Sequence, residues 1–294
     1  MGGSPPPVVN APRIQGKVAL VTGSSRGIGR AIAQRLSSAG ATVVVTARSL
    51  DKAVVQTGTL AETVAVIEAQ GGRAIPIACD LENPDERATL IQRATDAAGG
   101  LDILVNNAGY AEYSPVETMP LEVFDRTVEH YFRTPFLLAQ QAIAPMRARG
   151  AGWIVNVGSV TGLPARRPFQ WQETKAGMAV YSAIKAAVNR FTESLAAELL
   201  PDNIAVNMVA PSTAIATPGA KRYIPDDYPT EDIDYIAETA LSLCHLPAAE
   251  RTGVLAYSLH YPLTAGFAVY SLDGRTLRPE PVAPPQAHPK LMDL

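Results

Sequence analysis

Two side chains with complementary acid–base chemistry, Tyr181 and Lys185, lie four residues apart. Four residues make about one helical turn, so both side chains would project from the same face of a helix. A phenol is a poor base near neutral pH, because its unperturbed pKa is about 10. A neighbouring ammonium favours the phenolate and lowers that pKa. The pair can therefore take a proton from an alcohol or return one to a carbonyl, while a bound cofactor handles the hydride.

A glycine-rich turn stands well upstream of this pair. Residues 22–29 read Thr-Gly-Ser-Ser-Arg-Gly-Ile-Gly, at the end of an apolar run that begins at residue 17. Glycines at a strand-to-helix junction permit a tight turn and the close approach of a phosphate, and the helix start offers unpaired N–H groups to that anion. Each motif alone also suits an ordinary tight turn or a half-exposed helix. Their combination favours a dinucleotide-dependent oxidoreductase.

Apolar runs alternate with helix-like segments along most of the chain. The runs predict strands at 17–22, 42–46, 74–78, 103–106, 153–157, 204–209 and 254–258. The remaining segments predict helices at 29–39, 59–70, 84–98, 121–148, 179–199 and 231–243, with Pro135 and Pro145 as kink positions in the fourth. Apolar strands that alternate with helices indicate a parallel sheet covered on both faces. We therefore predict an α/β fold, a Rossmann-type doubly wound parallel sheet of about seven strands.

The chain divides into three predicted parts. Residues 1–16 are predicted to form a flexible arm, because 1–12 are rich in Gly, Pro and Ser and lack the charged-then-apolar order of a signal peptide. Residues 17–278 form a single catalytic domain, with a hairpin at 268–277 turning through Asp273-Gly274. Residues 279–294 form a Pro-rich, irregular tail.

Composition narrows the function. The net charge of −3 over 294 residues gives no sign of nucleic-acid or membrane-surface binding, and the apolar runs are too short to cross a bilayer. Two distant cysteines, Cys79 and Cys244, fit reduced thiols in a cytoplasmic protein. Neither they nor the four histidines have the spacing of metal ligands, so no metal is expected.

Four motifs occur in the order typical of one family. They are the Thr-Gly-x-x-x-Gly-x-Gly turn at 22–29, Asn-Asn-Ala-Gly at 106–109, Asn-Val-Gly-Ser at 156–159, and the Tyr181/Lys185 pair. The sequence from 17 to 258 resembles the short-chain dehydrogenase/reductase family. The resemblance implies an NAD(P)-dependent enzyme that interconverts a secondary alcohol and a ketone or aldehyde, acting as a homodimer or homotetramer on a small-molecule substrate.

The resemblance also implies roles for individual residues. Ser159 would hydrogen-bond the substrate oxygen, Tyr181 would be the acid/base, and Lys185 would hold the cofactor ribose and lower the pKa of the tyrosine. Asp80 would touch the adenine, or instead cap the next helix. The implied cofactor-binding set is Gly23, Ser25, Arg26, Gly27, Ile28, Gly29, Arg48, Asp80, Leu81, Asn107, Ala108, Gly109, Tyr181, Lys185, Pro211 and Thr213.

Charge near the second strand bears on the choice of nucleotide. NAD binding usually uses a carboxylate on the ribose hydroxyl after this strand, and no acid occurs at or near Ala47. Arg48 and Arg26 would suit a 2′-phosphate, which guanidinium groups grip bidentately. We therefore expect NADP, with NAD possible if both arginines are only solvated surface charges.

Tyr131 departs from the family pattern. It occupies the position of a helical Asn that normally holds a proton-relaying water, and its hydroxyl could serve a relay instead. The alternative is a dinucleotide-binding regulatory or interaction protein with little turnover. Retention of Ser159, Tyr181 and Lys185 favours the enzyme.

Two further departures surround the substrate region. The span from Ser159 to Tyr181 is 22 positions, longer than usual in the family, and its extra segment 165–175 predicts a loop that contacts either an aromatic or acidic substrate or a partner. Residues 211–218 and 57–60 resemble the hydroxysteroid-dehydrogenase-like and citronellol-dehydrogenase-like branch, which implies a hydrophobic alcohol or ketone. Residues 221–230 would form a mobile lid over the substrate.

Overall fold

The computed structural model describes residues 12–51, 58–110, 112–165, 167–169, 174–285 and 287–292. A seven-stranded parallel sheet with the strand order β3-β2-β1-β4-β5-β6-β7 forms its centre. The strands are β1 (Val18–Thr22), β2 (Thr42–Ala47), β3 (Arg73–Ala78), β4 (Ile103–Asn106), β5 (Gly152–Val157), β6 (Ile204–Ala210) and β7 (Leu255–Tyr257). The predicted doubly wound sheet is confirmed.

Eight α-helices lie in the described part of the chain. They are α1 (Gly27–Ser38), α2 (Leu60–Ala69), α3 (Pro84–Ala98), α4 (Leu121–Val128), α5 (Thr134–Ala148), α6 (Ala179–Leu199), α7 (Ile233–Ser242) and α8 (Tyr261–Ala265). Helices α1, α2 and α7 share one apolar core with one face of the sheet, and α3, α5 and α6 share a second core with the other face. Most strand residues are apolar, as expected where both faces of a sheet are covered. Within the described residues, no helix combines the length and apolarity that a bilayer crossing needs.

The strand order reverses at β1, which pairs with β2 on one side and β4 on the other. In open parallel sheets, ligands bind in the crevice at such a reversal, beyond the carboxyl ends of the strands. Hydrogen bonds join the two chain segments that leave these ends. Asn107 Nδ2 donates to the Thr22 carbonyl oxygen at 2.8 Å, and the Asn107 N–H donates to Thr22 Oγ1 at 2.9 Å. The glycine turn and the Asn-Asn-Ala-Gly loop therefore meet at one crevice.

The predicted helix over 121–148 is interrupted by a π-helical turn at Glu129–Arg133. Thr134 N–H donates to the Glu129 carbonyl oxygen five residues earlier. Pro135 follows, and because proline has no N–H it cannot continue the i→i−4 ladder across this point. Pro145, the other expected kink, lies inside α5 without ending it. The break carries Tyr131 and so sets the direction of its side chain.

Capping residues move two predicted helix starts by one or two positions. Thr59 is the N-cap of α2 rather than its first residue, because its hydroxyl accepts from Glu62 N–H at 3.1 Å while the Glu62 carboxylate accepts from Thr59 N–H at 3.3 Å. Asp232 is the N-cap of α7 through a single bond, because its Oδ1 accepts from Asp234 N–H at 3.0 Å, so that helix starts at Ile233 rather than at 231.

The segment beyond β7 folds back on the domain. The turn predicted at Asp273-Gly274 is present, with Tyr270 and Leu277 paired across it. Further on, Leu291 is buried beside Met208 and Tyr257. The predicted arm lies mostly outside the described residues, as do residues 166 and 170–173 of the 165–175 segment.

Candidate active site

The structure brings together the three residues predicted to carry the chemistry. Tyr181 and Lys185 lie in the first two turns of α6, and Ser159 follows the end of β5. The Lys185 ammonium is buried, donates to the Val157 carbonyl oxygen at 2.8 Å, and lies 5.6 Å from the centre of the Tyr181 ring. The Ser159 hydroxyl hydrogen-bonds to the Tyr181 hydroxyl. A proton carrier, a second hydrogen-bonding hydroxyl and a cation therefore share one site.

The pKa of Tyr181 departs from the sequence-based expectation. Burial raises it above its ordinary value of 10.0, and hydrogen bonds to Ser159 and Tyr113 offset only part of that rise. The expectation of a lowered pKa was wrong for this structure, because the loss of water around the phenolate outweighs the charge-stabilising contacts. A neutral phenol at neutral pH is a proton donor. Tyr181 can therefore give a proton to a carbonyl oxygen.

Lys185 is held by an aromatic ring as well as by a carbonyl oxygen. Its ammonium lies 4.3 Å from the centre of the Tyr131 ring, and burial lowers the pKa of Lys185 from 10.5 to about 7. The Tyr131 ring also stands edge-on to Tyr181, with ring centres 5.3 Å apart. A Cβ at Gly109 would lie 2.3 Å from Tyr131 Cε1, so glycine is required where the ring packs on the Asn-Asn-Ala-Gly loop.

The glycine turn has the shape of a diphosphate cradle. Gly23 has φ +64°, and a Cβ there would lie 2.9 Å from Ala108 Cα. A Cβ at Gly29 would lie 2.4 Å from the Gly23 carbonyl oxygen. Helix α1 begins at Gly27 with no acidic residue in its first turn and no side-chain cap from Arg26, so its N–H groups suit an anion. These residues fit the diphosphate of a dinucleotide.

Thr217 is a candidate cofactor contact that the sequence-based set lacked. A Cβ at Gly27 would lie 3.3 Å from Thr217 Cγ2, so this threonine borders the glycine turn. Thr213, which the set contained, is buried, and its N–H donates to Glu231 Oε1 at 2.9 Å. Both belong to the segment that follows β6 at Pro211. The sequence signalled the segment but could not show which threonine faces the turn.

The rest of the predicted cofactor-binding set lies around the same crevice. Ala108 N–H donates to Thr22 Oγ1 at 3.0 Å, and the Ser25 carbonyl oxygen accepts from Arg30 at 2.6 Å, which fixes the path of the turn. Ile28 packs against the core. Leu81, next to Asp80, is buried.

Around the expected adenosine end, Asp80 makes a local turn contact, because its Oδ1 accepts from Glu82 N–H at 3.0 Å. Arg48 is exposed, and Arg26 is half-buried. His130, Arg126 and Arg48 together lower the pKa of Glu82, with His130 as the largest cause. Glu82 is therefore an acid near Arg48 in space that the sequence did not place there.

Two more tyrosines reach the active site from loops. Tyr113, after β4, lies with its ring centre 5.2 Å from that of Tyr181, and Tyr223, in the short helix Lys221–Tyr223, lies 4.6 Å from Tyr113. No sequence motif marked either residue. Within the described residues, His, Cys, Asp and Glu form no cluster of three that could bind a metal.

Comparison with known proteins extends this description. The sequence model of the short chain dehydrogenases matches residues 17–227. The chain is 34% identical over 250 residues to a 3-oxoacyl-(acyl-carrier-protein) reductase of Aquifex aeolicus, covering 82% of this chain and 95% of the relative.

Comparison with solved structures also finds dehydrogenases. A short chain dehydrogenase from Burkholderia cenocepacia in complex with NADP superposes with a TM-score of 0.70 at 34% identity, covering 84% of this chain and 98% of that one. A hydroxysteroid dehydrogenase from Escherichia coli superposes with a TM-score of 0.69 at 30% identity, covering 84% and 96%. The matched region includes the glycine turn, the Asn-Asn-Ala-Gly loop and the Tyr181/Lys185 pair. The chain therefore belongs to the short chain dehydrogenase family of NAD(P)-dependent oxidoreductases.

Proposed function

We propose that this protein is an NADP(H)-dependent oxidoreductase that interconverts a hydrophobic secondary alcohol and the corresponding ketone or aldehyde. The observation that carries the proposal is the Tyr181 hydroxyl, which hydrogen-bonds to Ser159 while the Lys185 ammonium lies on the same helical face. A substrate oxygen at this point would meet a proton donor and a second hydroxyl together, which is what an oxygen that gains charge requires.

The glycine turn and the start of α1 would hold a nicotinamide cofactor, which would supply the hydride when bound. Tyr181, a neutral phenol near neutral pH, would give its proton to the carbonyl oxygen. Ser159 holds that oxygen through a hydrogen bond. Lys185, bound to the Val157 carbonyl oxygen, would in its protonated form stabilise the Tyr181 phenolate after the proton has left.

The preference for NADP rests on Arg48 and Arg26. Both belong to segments at the carboxyl edge of the sheet, next to the glycine turn, where the adenosine ribose would lie. Guanidinium groups there would bind a 2′-phosphate bidentately. The nearby Glu82 already has Arg126 at 3.7 Å, whose charge opposes its own, and a hydrogen bond with His130 Nε2 at 2.8 Å.

The hydrophobic substrate is supported by the tyrosines around Tyr181 and by the resemblance of 211–218 to the hydroxysteroid- and citronellol-dehydrogenase-like branch. Residues 221–230 would cover the substrate as a lid. We also propose a cytoplasmic homodimer or homotetramer. Two buried free thiols, Cys79 and Cys244, fit a reducing compartment, and exposed apolar side chains on α4 and α5, such as Leu121 and Phe136, suit subunit contacts.

A second candidate function is dinucleotide binding with little turnover, as a regulatory or interaction protein. Tyr131, where the family pattern has Asn, is the observation that favours it. The deciding experiment follows NADPH oxidation with a panel of hydrophobic ketones and NADP⁺ reduction with the matching alcohols. Saturable turnover of at least one pair supports the enzyme. Tight NADPH binding without turnover across the panel would support the second function.

A further inference from the structure

Four tyrosines from four separate elements form a continuous cluster at the active site, which we name the tyrosine cage: Tyr113, Tyr131, Tyr181 and Tyr223. The ring centres are 5.2 Å apart for Tyr113 and Tyr181, 5.3 Å for Tyr131 and Tyr181, and 4.6 Å for Tyr113 and Tyr223. All three pairs are tilted or edge-to-face, the arrangements that aromatic rings favour. The proton donor is therefore surrounded by aromatic surface.

Tyr113 shows what kind of group fits beside the proton donor. Its hydroxyl hydrogen-bonds to Tyr181, the same atom that a substrate oxygen must reach. Its ring simultaneously packs on Tyr223 at 4.6 Å. Tyr113 is thus an aromatic ring carrying an oxygen, with the oxygen at the proton donor and the ring against a second aromatic face. A substrate with the same two features can make the same two contacts when it takes the place of the Tyr113 side chain.

The charged side chain of Arg222, near Tyr223, already has partners within the protein. The Arg222 guanidinium lies 4.6 Å from the centre of the Tyr223 ring and hydrogen-bonds to Tyr110. Burial is the largest cause of the raised pKa of Tyr223, while Arg222 acts to lower that pKa and Glu112 makes a smaller contribution that raises it. The Arg222 guanidinium already has Tyr110 and the Tyr223 ring as partners, so it does not require a charged group on the substrate. This part of the site therefore suits an uncharged ring system.

We propose that the preferred substrate is an uncharged aryl ketone, or the aryl carbinol in the reverse direction, whose ring enters the tyrosine cage and packs on Tyr223. This inference rests on the proposed function. In the reduction, the C=O π bond breaks, the hydride of NADPH forms the new C–H bond, and the Tyr181 proton forms the O–H bond. NADPH becomes NADP⁺, and Tyr181 recovers a proton from solvent.

The test compares α-tetralone with α-decalone, which has the same carbon skeleton without the aromatic ring. We expect kcat/KM with NADPH to favour α-tetralone about tenfold, as ring stacking in a desolvated site would give. Conjugation makes the aryl ketone intrinsically less reactive, so this preference would come from the protein. Equal or better turnover of α-decalone would overturn the aryl proposal and leave the proposed function standing.

Variants test whether the preference for α-tetralone comes from the tyrosine cage. Tyr223→Leu should bring the α-tetralone/α-decalone ratio close to one, mainly by raising KM for α-tetralone, whereas Tyr223→Phe should retain the ratio. Tyr235→Leu is the matched control, because Tyr235 lies on α7 with its hydroxyl bonded to the Pro279 carbonyl oxygen. Unchanged NADPH affinity verifies the folding of each variant. A ratio unaffected by Tyr223→Leu would contradict the proposal.

Binding separates the two proposals if neither ketone is reduced. Each ketone is then titrated into the NADPH-loaded protein and followed by tyrosine and NADPH fluorescence. About tenfold tighter binding of α-tetralone would uphold the cage as an aryl site while the proposed turnover fails. Equal binding of the two ketones would overturn the cage as well.

Discussion

The Lys185 ammonium lies 4.3 Å from the centre of the Tyr131 ring and donates a hydrogen bond of 2.8 Å to the Val157 carbonyl oxygen. A cation over an aromatic face is attracted by the ring quadrupole, and the attraction increases when water is excluded. The family pattern places Asn at the position of Tyr131. In this protein the ring itself contacts the lysine, so Tyr131 can position Lys185 whether or not its hydroxyl relays protons.

Two substitutions separate the ring of Tyr131 from its hydroxyl. Tyr131→Phe keeps the face under Lys185 and should lower kcat about threefold, through loss of the relay alone, with little change in NADPH affinity. Tyr131→Leu removes the face as well, so it should lower kcat at least about tenfold and weaken NADPH binding. Steady-state kinetics and NADPH fluorescence titration measure both effects. A Leu variant no worse than Phe would contradict the positioning role, and a Phe variant equal to wild type would contradict the relay.

Arg48 should determine the choice of nucleotide. Wild type is expected to bind NADPH at least about tenfold more tightly than NADH, because the guanidinium contacts only the 2′-phosphate of the former. Arg48→Ala should remove most of this difference by weakening NADPH binding alone. Arg73→Ala serves as the control, since Arg73 is exposed at the start of β3, at the amino ends of the parallel strands and away from the cofactor crevice at their carboxyl ends. Fluorescence titrations with both nucleotides give the affinities, and equal wild-type affinities would disprove the preference.

Glu231 should make stability depend on pH. It is buried, accepts from Ser258 Oγ and from Thr213 N–H, and burial raises its pKa from 4.5 to about 7. Because the folded pKa is the higher one, this contribution to stability is complete below about 4.5 and is lost as the pH rises through about 7. Glu231→Gln keeps an acceptor oxygen without a charge. The free energy of unfolding of this variant should exceed that of the wild type by roughly 1–3 kcal/mol at pH 8 and equal it near pH 4.5.

Urea unfolding at the two pH values measures this difference. The exposed Glu117→Gln provides the control for loss of a carboxylate and should track wild type at both. His260 is a second titratable group near Glu231, because its Nδ1 lies 2.9 Å from the hydroxyl of Ser212. Adding His260→Gln to Glu231→Gln therefore checks whether His260 contributes to the pH dependence of stability. A stability difference that does not vary with pH would show that Glu231 is not the group that titrates.

The sheet and the cofactor crevice could be predicted from the sequence because both depend on local patterns. Strands buried on both faces must be largely apolar, and such runs can be read from the sequence. The two motifs that meet at the crevice follow β1 and β4, and these strands are neighbours because the strand order reverses at β1. The predicted starts of α2 and α7 were one or two residues too early, because Thr59 and Asp232 cap these helices through side-chain hydrogen bonds that the spacing of apolar residues does not reveal.

The aromatic surroundings of Tyr181 could not be predicted in the same way. Tyr113 lies in a loop and Tyr223 at the end of a three-residue helix 110 positions later, and their contact depends on the paths of the connecting segments rather than on a helical or strand period. Tyr131 was located by its position in the family pattern. Its ring contact with Lys185 depends on the π-helical turn at Glu129–Arg133, which changes the direction of the side chain relative to a regular helix.

Replacement of Tyr181 by phenylalanine is the sharpest test of the claim that the Tyr181 hydroxyl donates the proton. The Phe variant keeps the ring within the cage and removes the single hydroxyl that donates the proton, so NADPH affinity should stay near wild type while kcat for ketone reduction falls at least about a hundredfold. Lys185→Ala, measured beside it, should damage both quantities, because the ammonium serves cofactor and tyrosine. Retention of more than a few per cent of the wild-type kcat by Tyr181→Phe would show that the proton comes from another group and would contradict the account.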